Sequence, residues 1–400
     1  MTGPTGAPTT LPPHETMLLN MGPQHPSTHG VLRLMLELDG EVVVDAHPDI
    51  GFLHTGIEKS CEYRTFHQAI TLTDRIDYLS PYSNNLAYVL AVEKLFGITA
   101  PPRARWLRVL IAELNRIASH LIWLGTMAID LAASSMLIYA FREREGVLAL
   151  MEELSGVRMM TSFIRIGGLP ADATAKFLEG TARYLDELPA HLLEYDDLLR
   201  ENPIFKARMR GIGRIGADAA LSYGMTGPNL RASGIAYDVR RAVPYEIYPE
   251  LAFDVITETA GDAYARYLVR RRELDESVRI CRQVLERLPD GPIRIDDPHV
   301  AFPKRELIHS SMESLIHHYK LATEGPIPPP GEAYGAVESP RGEFGVHVVA
   351  NGTNLPQRVR FRAPSFASLQ ALPSMVRGGM VADCIATLAS IDFVLGEVDR

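Results

Sequence analysis

The stretch Gly22-Pro23-Gln24-His25-Pro26-Ser27-Thr28-His29-Gly30 says more about this chain than any other. It crowds two imidazoles, two prolines and two glycines together. The prolines fix φ and stop a helix, so the segment reads as a rigid loop. His25 and His29 stand four residues apart, a zinc-ligand spacing only on a helix, and Pro26 between them argues against that geometry. A stiff loop that holds His29 beside a glycine suits close contact with a ligand or partner. Ser27, Thr28 and both histidines are also residues that cap turns, and residue types alone leave both readings open.

Outward from this loop the sequence reads as a mainly α, α+β chain. Leu32 to Ala46 alternates around Asp39-Gly40, a pair that favours a tight hairpin turn. Pro81 to Phe96 reads as a helix ending at Gly97, and Pro101-Pro102 can open the next one. In that helix Leu107, Leu110, Leu114, Ile117, Leu121 and Leu124 recur at helical spacing. Further helices are predicted over 134–155, over 171–201 with an interruption near Pro189, over 262–288, 304–322 and 368–390. Strands are predicted over 332–350 and 358–362. The organisation expected is a disordered lead-in over residues 1–17, then one domain over 18–400. Its parts are β-rich over 18–60, helical over 61–325 and α/β over 326–400.

Composition narrows the function. The chain has 400 residues, 46% of them hydrophobic and 22% charged, enough to bury a sizeable core. A net charge of −9 and the lack of a basic run argue against nucleic-acid binding. Cys61, Cys281 and Cys384 are far apart and form no CxxC pair, which argues against a disulfide framework or a cysteine metal cluster and suits a reducing compartment. The Thr-, Pro- and Gly-rich opening has no charged n-region or apolar core, so no signal peptide is read there. Between Arg116 and Arg142 the only formal charge is Asp130. The length would span a bilayer, but an aspartate near its centre would cost roughly 3 kcal/mol, so buried helices are expected instead. Gly211-Ile212-Gly213-Arg214-Ile215-Gly216 matches the dinucleotide fingerprint, yet the basic run Phe205 to Arg210 before it is not a buried strand.

Several ordered words identify a resemblance. The His25–His29 loop runs into Val31-Leu32-Arg33-Leu34. Later come Gly51-Phe52-Leu53-His54-Thr55-Gly56-Ile57-Glu58-Lys59 and Tyr88-Val89-Leu90-Ala91-Val92-Glu93-Lys94-Leu95. Tyr139 to Glu145, Thr226 to Gly234, Glu338-Ser339-Pro340-Arg341-Gly342-Glu343, Arg362 to Phe366 and Gly396-Glu397-Val398-Asp399-Arg400 continue the series. From about Leu18 to the last residue the chain resembles the D subunit of respiratory complex I, the proton-translocating NADH:quinone oxidoreductase. That family is related in fold to the large subunit of nickel–iron hydrogenases.

The resemblance implies a quinone-site subunit, not active alone. It would pass electrons from the terminal iron–sulfur cluster of the B subunit to a membrane quinone, with NADH and FMN on other subunits. A sister complex fed by ferredoxin or reduced deazaflavin is the alternative. Expected partners are the B, C and I subunits and the membrane subunit that forms the quinone channel, with the chain peripheral on the cytoplasmic side of the cell membrane. Carried over singly, His29 and Tyr88 would meet the quinone headgroup and Asp130 would pair with His29 and couple reduction to pumping. A phenol stays protonated at neutral pH, and a histidine can be tuned across neutrality. Tyr88 could equally be core, Asp130 a helix cap, and His29 bonded within its loop. The four cysteine positions of the hydrogenase site correspond to Asp77, Ser80, Val394 and Glu397, so no thiolate remains for nickel or iron and no metal is expected. Asp77 and Glu397 are expected to pair with Arg75 or Arg400. Met160 stands where the family commonly has a histidine near the terminal cluster, and it cannot titrate.

Overall fold

The computed structural model describes residues 16–400. The lead-in expected over 1–17 therefore lies, apart from Thr16 and Met17, outside the described residues, and Met17 already opens a strand. The first sheet is antiparallel, with strands β1 (Met17–Met21), β2 (Arg33–Asp39) and β3 (Val42–Asp49) in that order. The β2–β3 turn falls at Gly40, where the alternation placed it. Leu34, Leu36 and Leu38 share one buried face, as period two requires. The loop of interest joins β1 to β2.

A helical body follows. Helix Pro81–Phe96 ends on Gly97 in the left-handed conformation, and helix Pro102–Asp130 begins on the expected proline. The second is the axis of the molecule. Almost every residue from Trp106 to Leu121 is buried, and it packs against helices Ser135–Ser155 and Ala263–Arg287. The apolar stretch between Arg116 and Arg142 is thus the end of one helix, a break at residues 131–134, and the start of the next. No helix among the described residues is long and apolar enough to cross a membrane.

The second sheet contains β4 (Gly331–Ser339), β5 (Gly342–Ala350) and β6 (Arg358–Arg362), again antiparallel in order. The predicted strand over 332–350 is in fact a hairpin. Ser339 pairs with Gly342, so Pro340 and Arg341 form its tip. Three other expectations change. Helix Ala175–Tyr195 runs through Pro189, and its end is a π-helical turn at Asp196–Arg200. The helix expected over 304–322 divides into Arg305–Ile308 and Met312–Thr323. The one expected over 368–390 becomes Pro364–Gln370, Leu372–Val376 and Val381–Ile391. The glycine-rich run 211–216 follows helix Pro203–Met209, not a strand, so its context is not that of a dinucleotide site.

Two hydrophobic clusters bind the ends of the chain to its middle. The second sheet packs Val337, Phe344 and Val346 into the core of the helical body. The first sheet packs Leu34, Leu36 and Leu38 against Leu372, Cys384 and Leu388 near the C-terminus. The second sheet meets helix Pro81–Phe96 so closely that a Cβ added at Gly335 would lie 2.7 Å from the Ala87 carbonyl oxygen and 2.7 Å from the Ala91 nitrogen. Both neighbours are backbone, so neither can rotate away. Gly335→Ala should therefore destabilise the protein by about 1–3 kcal/mol. Thermal unfolding of the assembled variant checks this; an unchanged midpoint would show that sheet and helix are not in contact there.

Candidate functional site

The His25–His29 loop is built from its own backbone. Pro26–Thr28 forms one 3-10 turn; the Nδ1 of His25 accepts from the Ser27 amide at 3.3 Å, and His29 closes the turn in the left-handed region at φ 53°. The Thr28 hydroxyl is within bonding distance of the His25 carbonyl, 2.9 Å, and the Pro23 carbonyl, 3.2 Å. Ser27 and Thr28 are buried, which turns the polar edge of the turn inward and leaves His29 at its exposed end. On the outer flank, Met21, Pro23, His25, Val31, Phe52 and Ile385 help line an open cavity of about 790 Å³.

The structure does not bring His29 and Asp130 together as a bonded pair. Asp130, the last residue of helix Pro102–Asp130, accepts from the Ser27 hydroxyl at 3.3 Å. Partial burial raises its pKa, while the Ser27 bond and His25 pull it down. His29 instead stacks on Phe393, with ring centroids 4.5 Å apart and an interplanar angle of 12°. Its pKa is lowered, by crowding among protein atoms first and by the nearby Arg341 charge second, with a bond to the Phe393 backbone opposing both. As a residue His29 is exposed, which limits the size of that shift. Imidazole, not imidazolium, is the resting form at neutral pH.

Tyr88 lies elsewhere. It is 0% exposed, and its hydroxyl donates to the Phe66 carbonyl at 3.1 Å inside the core. Tyr78 is the tyrosine at the surface of this region. It is half-buried and lines a small cleft with Tyr82, Arg144 and Met159. Arg341 is near enough to influence both Tyr78 and His29 electrostatically. The signal for Tyr78 was in the sequence, because it stands between Asp77 and Ser80, two of the positions compared with the hydrogenase cysteines.

Those positions do converge. A Cβ at Gly396 would sit 2.5 Å from the Ile76 carbonyl oxygen, so the 75–80 and 392–400 segments touch. The charge at their junction comes from neither Arg75 nor Arg400. Arg75 is exposed and bonds the Thr71 carbonyl, while Arg400 bonds the Phe361 carbonyl and lies over Phe366. The β4–β5 hairpin delivers Arg341 instead. Its Nη1 donates to Asp77 at 2.6 Å and to Ser119 at 3.2 Å, and its Nη2 donates to Asp392 at 3.1 Å. Arg270 stands 3.8 Å from the other oxygen of Asp392. Burial pushes Asp392 up to about 6 despite both arginines. Glu397 accepts from the Ser365 amide at 2.7 Å, and Val394, wholly buried, donates its amide to the Ser365 hydroxyl. Among the described residues, no group of three or more His, Cys, Asp or Glu side chains is arranged to hold a metal ion.

Met160 lies in the loop after helix Ser135–Ser155, itself at positive φ, two residues before Ser162, whose hydroxyl and amide both bond Asp74. The loop is thus fixed by Asp74 and by the contact of Arg144 with the Met159 sulfur at 3.5 Å, with no titratable group at position 160.

Comparison with known proteins gives the family of the chain. The chain is 57% identical over 389 residues to the NADH-quinone oxidoreductase D 2 subunit of Roseiflexus sp. (strain RS-1), covering 96% of this chain and 93% of the relative. It is 53% identical over 386 residues to the corresponding D 2 subunit of Koribacter versatilis (strain Ellin345), covering 96% of each. With the D subunit of Geotalea uraniireducens (strain Rf4) it shares 50% identity over 386 residues, 96% of this chain and 99% of that one. Kinship of this extent makes the chain a component of an oxidoreductase complex. Residues 130–400 match the family described as respiratory-chain NADH dehydrogenase, 49 kDa subunit, and the chain belongs to that family.

Removing the Arg341 charge should be costly. Arg341→Met would leave Asp77 and Asp392 buried against too little positive charge and should destabilise the protein by about 3–5 kcal/mol at neutral pH. The loss should shrink as falling pH protonates Asp392 below about 6. Thermal inactivation of the assembled variant at neutral and at mildly acidic pH checks both the size and the sign. Equal losses at both would count against the ion pairs as the cause.

Proposed function

We propose that this chain forms the quinone-reducing end of an NADH:quinone oxidoreductase, taking electrons from the terminal iron–sulfur cluster of a B subunit and passing them to a membrane quinone between His29 and Tyr78. The observation that carries this reading is the placement of both groups around one buried guanidinium, Arg341, on a chain of this family. Quinone reduction adds two electrons and two protons and breaks no bond to a leaving group. Tyr78, protonated and half-exposed, donates a hydrogen bond to one carbonyl oxygen and gives it that proton as the ring gains charge, recovering one from water afterwards. Neutral His29 can take up a proton as negative charge builds on the ring and pass it to the second oxygen. Asp130 acts through Ser27, fixing the turn that holds His29. This differs from direct pairing with the imidazole and makes Asp130 a positioning residue in the coupling role expected of it. The names of the relatives favour NADH over ferredoxin or deazaflavin as the donor.

Docking on the B, C and I subunits and on a channel-forming membrane subunit, at the cytoplasmic face of the cell membrane, belongs to the same reading. Exposed His29 and the Tyr78–Met159 cleft are where a cluster-bearing partner would close the site.

Two conservative substitutions test it. Tyr78→Phe deletes the proposed donor and should lower quinone turnover by about a hundredfold, the lower end for a lost proton-transfer group. Tyr88→Phe removes only a core bond to Phe66, worth about 1 kcal/mol, and should leave turnover nearly unchanged. Both complexes should still reduce an artificial acceptor upstream of the quinone. Normal quinone kinetics in an assembled Tyr78→Phe complex would sink the assignment.

A further inference from the structure

Beneath the proposed site, three carboxyl groups share two guanidiniums. Asp77 comes from the loop before helix Pro81–Phe96, Asp392 from the end of helix Val381–Ile391, and Glu397 from the last turn of the chain. Arg341 reaches in from the β4–β5 tip and Arg270 from helix Ala263–Arg287. All five side chains are buried. Arg341 is bonded to Asp77 and Asp392, and Arg270 gives its bonds to Asn229 and to the Ser390 and Ile391 carbonyls. Glu397 accepts from the Ser365 amide, and the Ser365 hydroxyl, which takes the Val394 amide, is close enough to favour its ionised form in part. The Oε2 of Glu397 is buried and bonds no protein group, and the Nε of Arg341 also lacks a bonding partner.

An ionised carboxylate in that position would be a buried charge with no guanidinium bonded to it, and such groups take up a proton instead. We propose that Glu397 is a proton-holding positioning residue. Neutral, it leaves Arg341 to Asp77 and Asp392; ionised, it competes for that guanidinium and weakens the positive field at His29 and Tyr78. This rests on the reading of those two residues as the quinone contacts. The electrostatics support the geometry: burial first, and the charge of Asp77 second, push Glu397 up to about 7. The charged and titratable groups facing the cluster are Asp77, Asp392, Arg341, Arg270 and Tyr78, with His29 above it on Phe393.

The sign follows from the charges. As pH rises and Glu397 ionises, Arg341 is drawn away from its two aspartates. Tyr78 then loses positive field and gives up its proton less readily, so quinone turnover should fall on the alkaline side. Glu397→Gln keeps the shape and stays neutral at every pH. The assembled variant should lose the one-proton alkaline limb, about tenfold per pH unit at its steepest. Infrared spectra of the intact parent complex provide a readout independent of turnover. The C=O stretch of a protonated carboxyl should disappear as pH rises through neutrality, be missing in Glu397→Gln and shift in Glu397→Asp. A parent spectrum with no such band, or one that Glu397→Asp does not shift, overturns the proposal and leaves the quinone reading intact. So does a Glu397→Gln complex whose pH profile matches the parent. A band that titrates as stated, with turnover indifferent to Tyr78→Phe and to His29→Ala, keeps the proton on Glu397 and overturns its action through those residues.

Discussion

One guanidinium holds the centre of this molecule. Arg341 sits at the tip of a hairpin, where only Pro340 separates it from the end of β4, and its donors meet three elements at once: the loop at Asp77, the long helix at Ser119 and the C-terminal segment at Asp392. A buried arginine is tolerable only when its charge and its directed N–H groups are matched. That requirement ties together segments more than 300 residues apart in the chain. His29 stacks on the residue after Asp392, and Tyr78 is the residue after Asp77. The two proposed site groups therefore inherit their positions from the same ion. Shifting the hairpin would move both.

The same principle operates deeper in the helical body. Glu113 bonds Arg116, Arg240, Ser277 and the Tyr248 hydroxyl, and Arg231 bridges Glu273 and Glu338. His120 lies 3.0 Å from Glu273, and burial lowers its pKa to about 4 despite that carboxylate. It is thus uncharged at neutral pH, and the charge of Glu273 is balanced by Arg231. An apolar core of equal volume could be as stable, since burying ions consumes much of what their attraction returns. What directed bonds add is register. Each carboxylate accepts from donors on different elements, so a helix cannot slide without breaking several bonds together. The proposed site at His29 and Tyr78 gains from a base that cannot slide.

Much of the fold was legible, for local reasons. The β2–β3 hairpin, the helix closing on Gly97 and the helix opening on Pro102 are set by turn residues and periodicity that act over a few residues. The errors have non-local causes. The missing amide of Pro189 predicts a break, yet the helix continues through it with Leu185, Leu188 and Leu192 buried in the core. The Pro340-Arg341 tip is hidden from sequence reading because an arginine in a turn normally points to solvent, and here it is drawn inward by carboxylates 264 and 51 residues away. The site follows the same pattern. The His29 loop is legible from its prolines and glycines. The expectation for Tyr88 rests on a word shared with relatives, whereas Tyr78 is marked by its place between Asp77 and Ser80, whose weight shows only when folding brings Arg341 and the C-terminal segment to them.

The arrangement fits a division of labour imposed by chemistry. Electrons can cross from one centre to another through protein, whereas a proton moves only between groups within hydrogen-bond reach. A chain that receives electrons from a partner can leave their carriers to that partner, but proton donors must touch the substrate. The three cysteines are all buried, and burial pushes the thiols of Cys61 and Cys384 up to about 12, far from the thiolate form that binds soft metals or reacts. Two of the four positions compared with metal ligands in the hydrogenase family, Asp77 and Glu397, hold carboxyls near the Arg341 guanidinium, and the other two are Ser80 and Val394. Burial brings Asp392 up to about 6 and Glu397 up to about 7, close to the boundary between protonated and ionised at neutral pH. On the proposed reading, carboxyls in place of thiols at Asp77 and Glu397 take away soft ligands and supply groups able to hold a proton, where the β4–β5 hairpin, the Asp77 loop and the C-terminal turn meet.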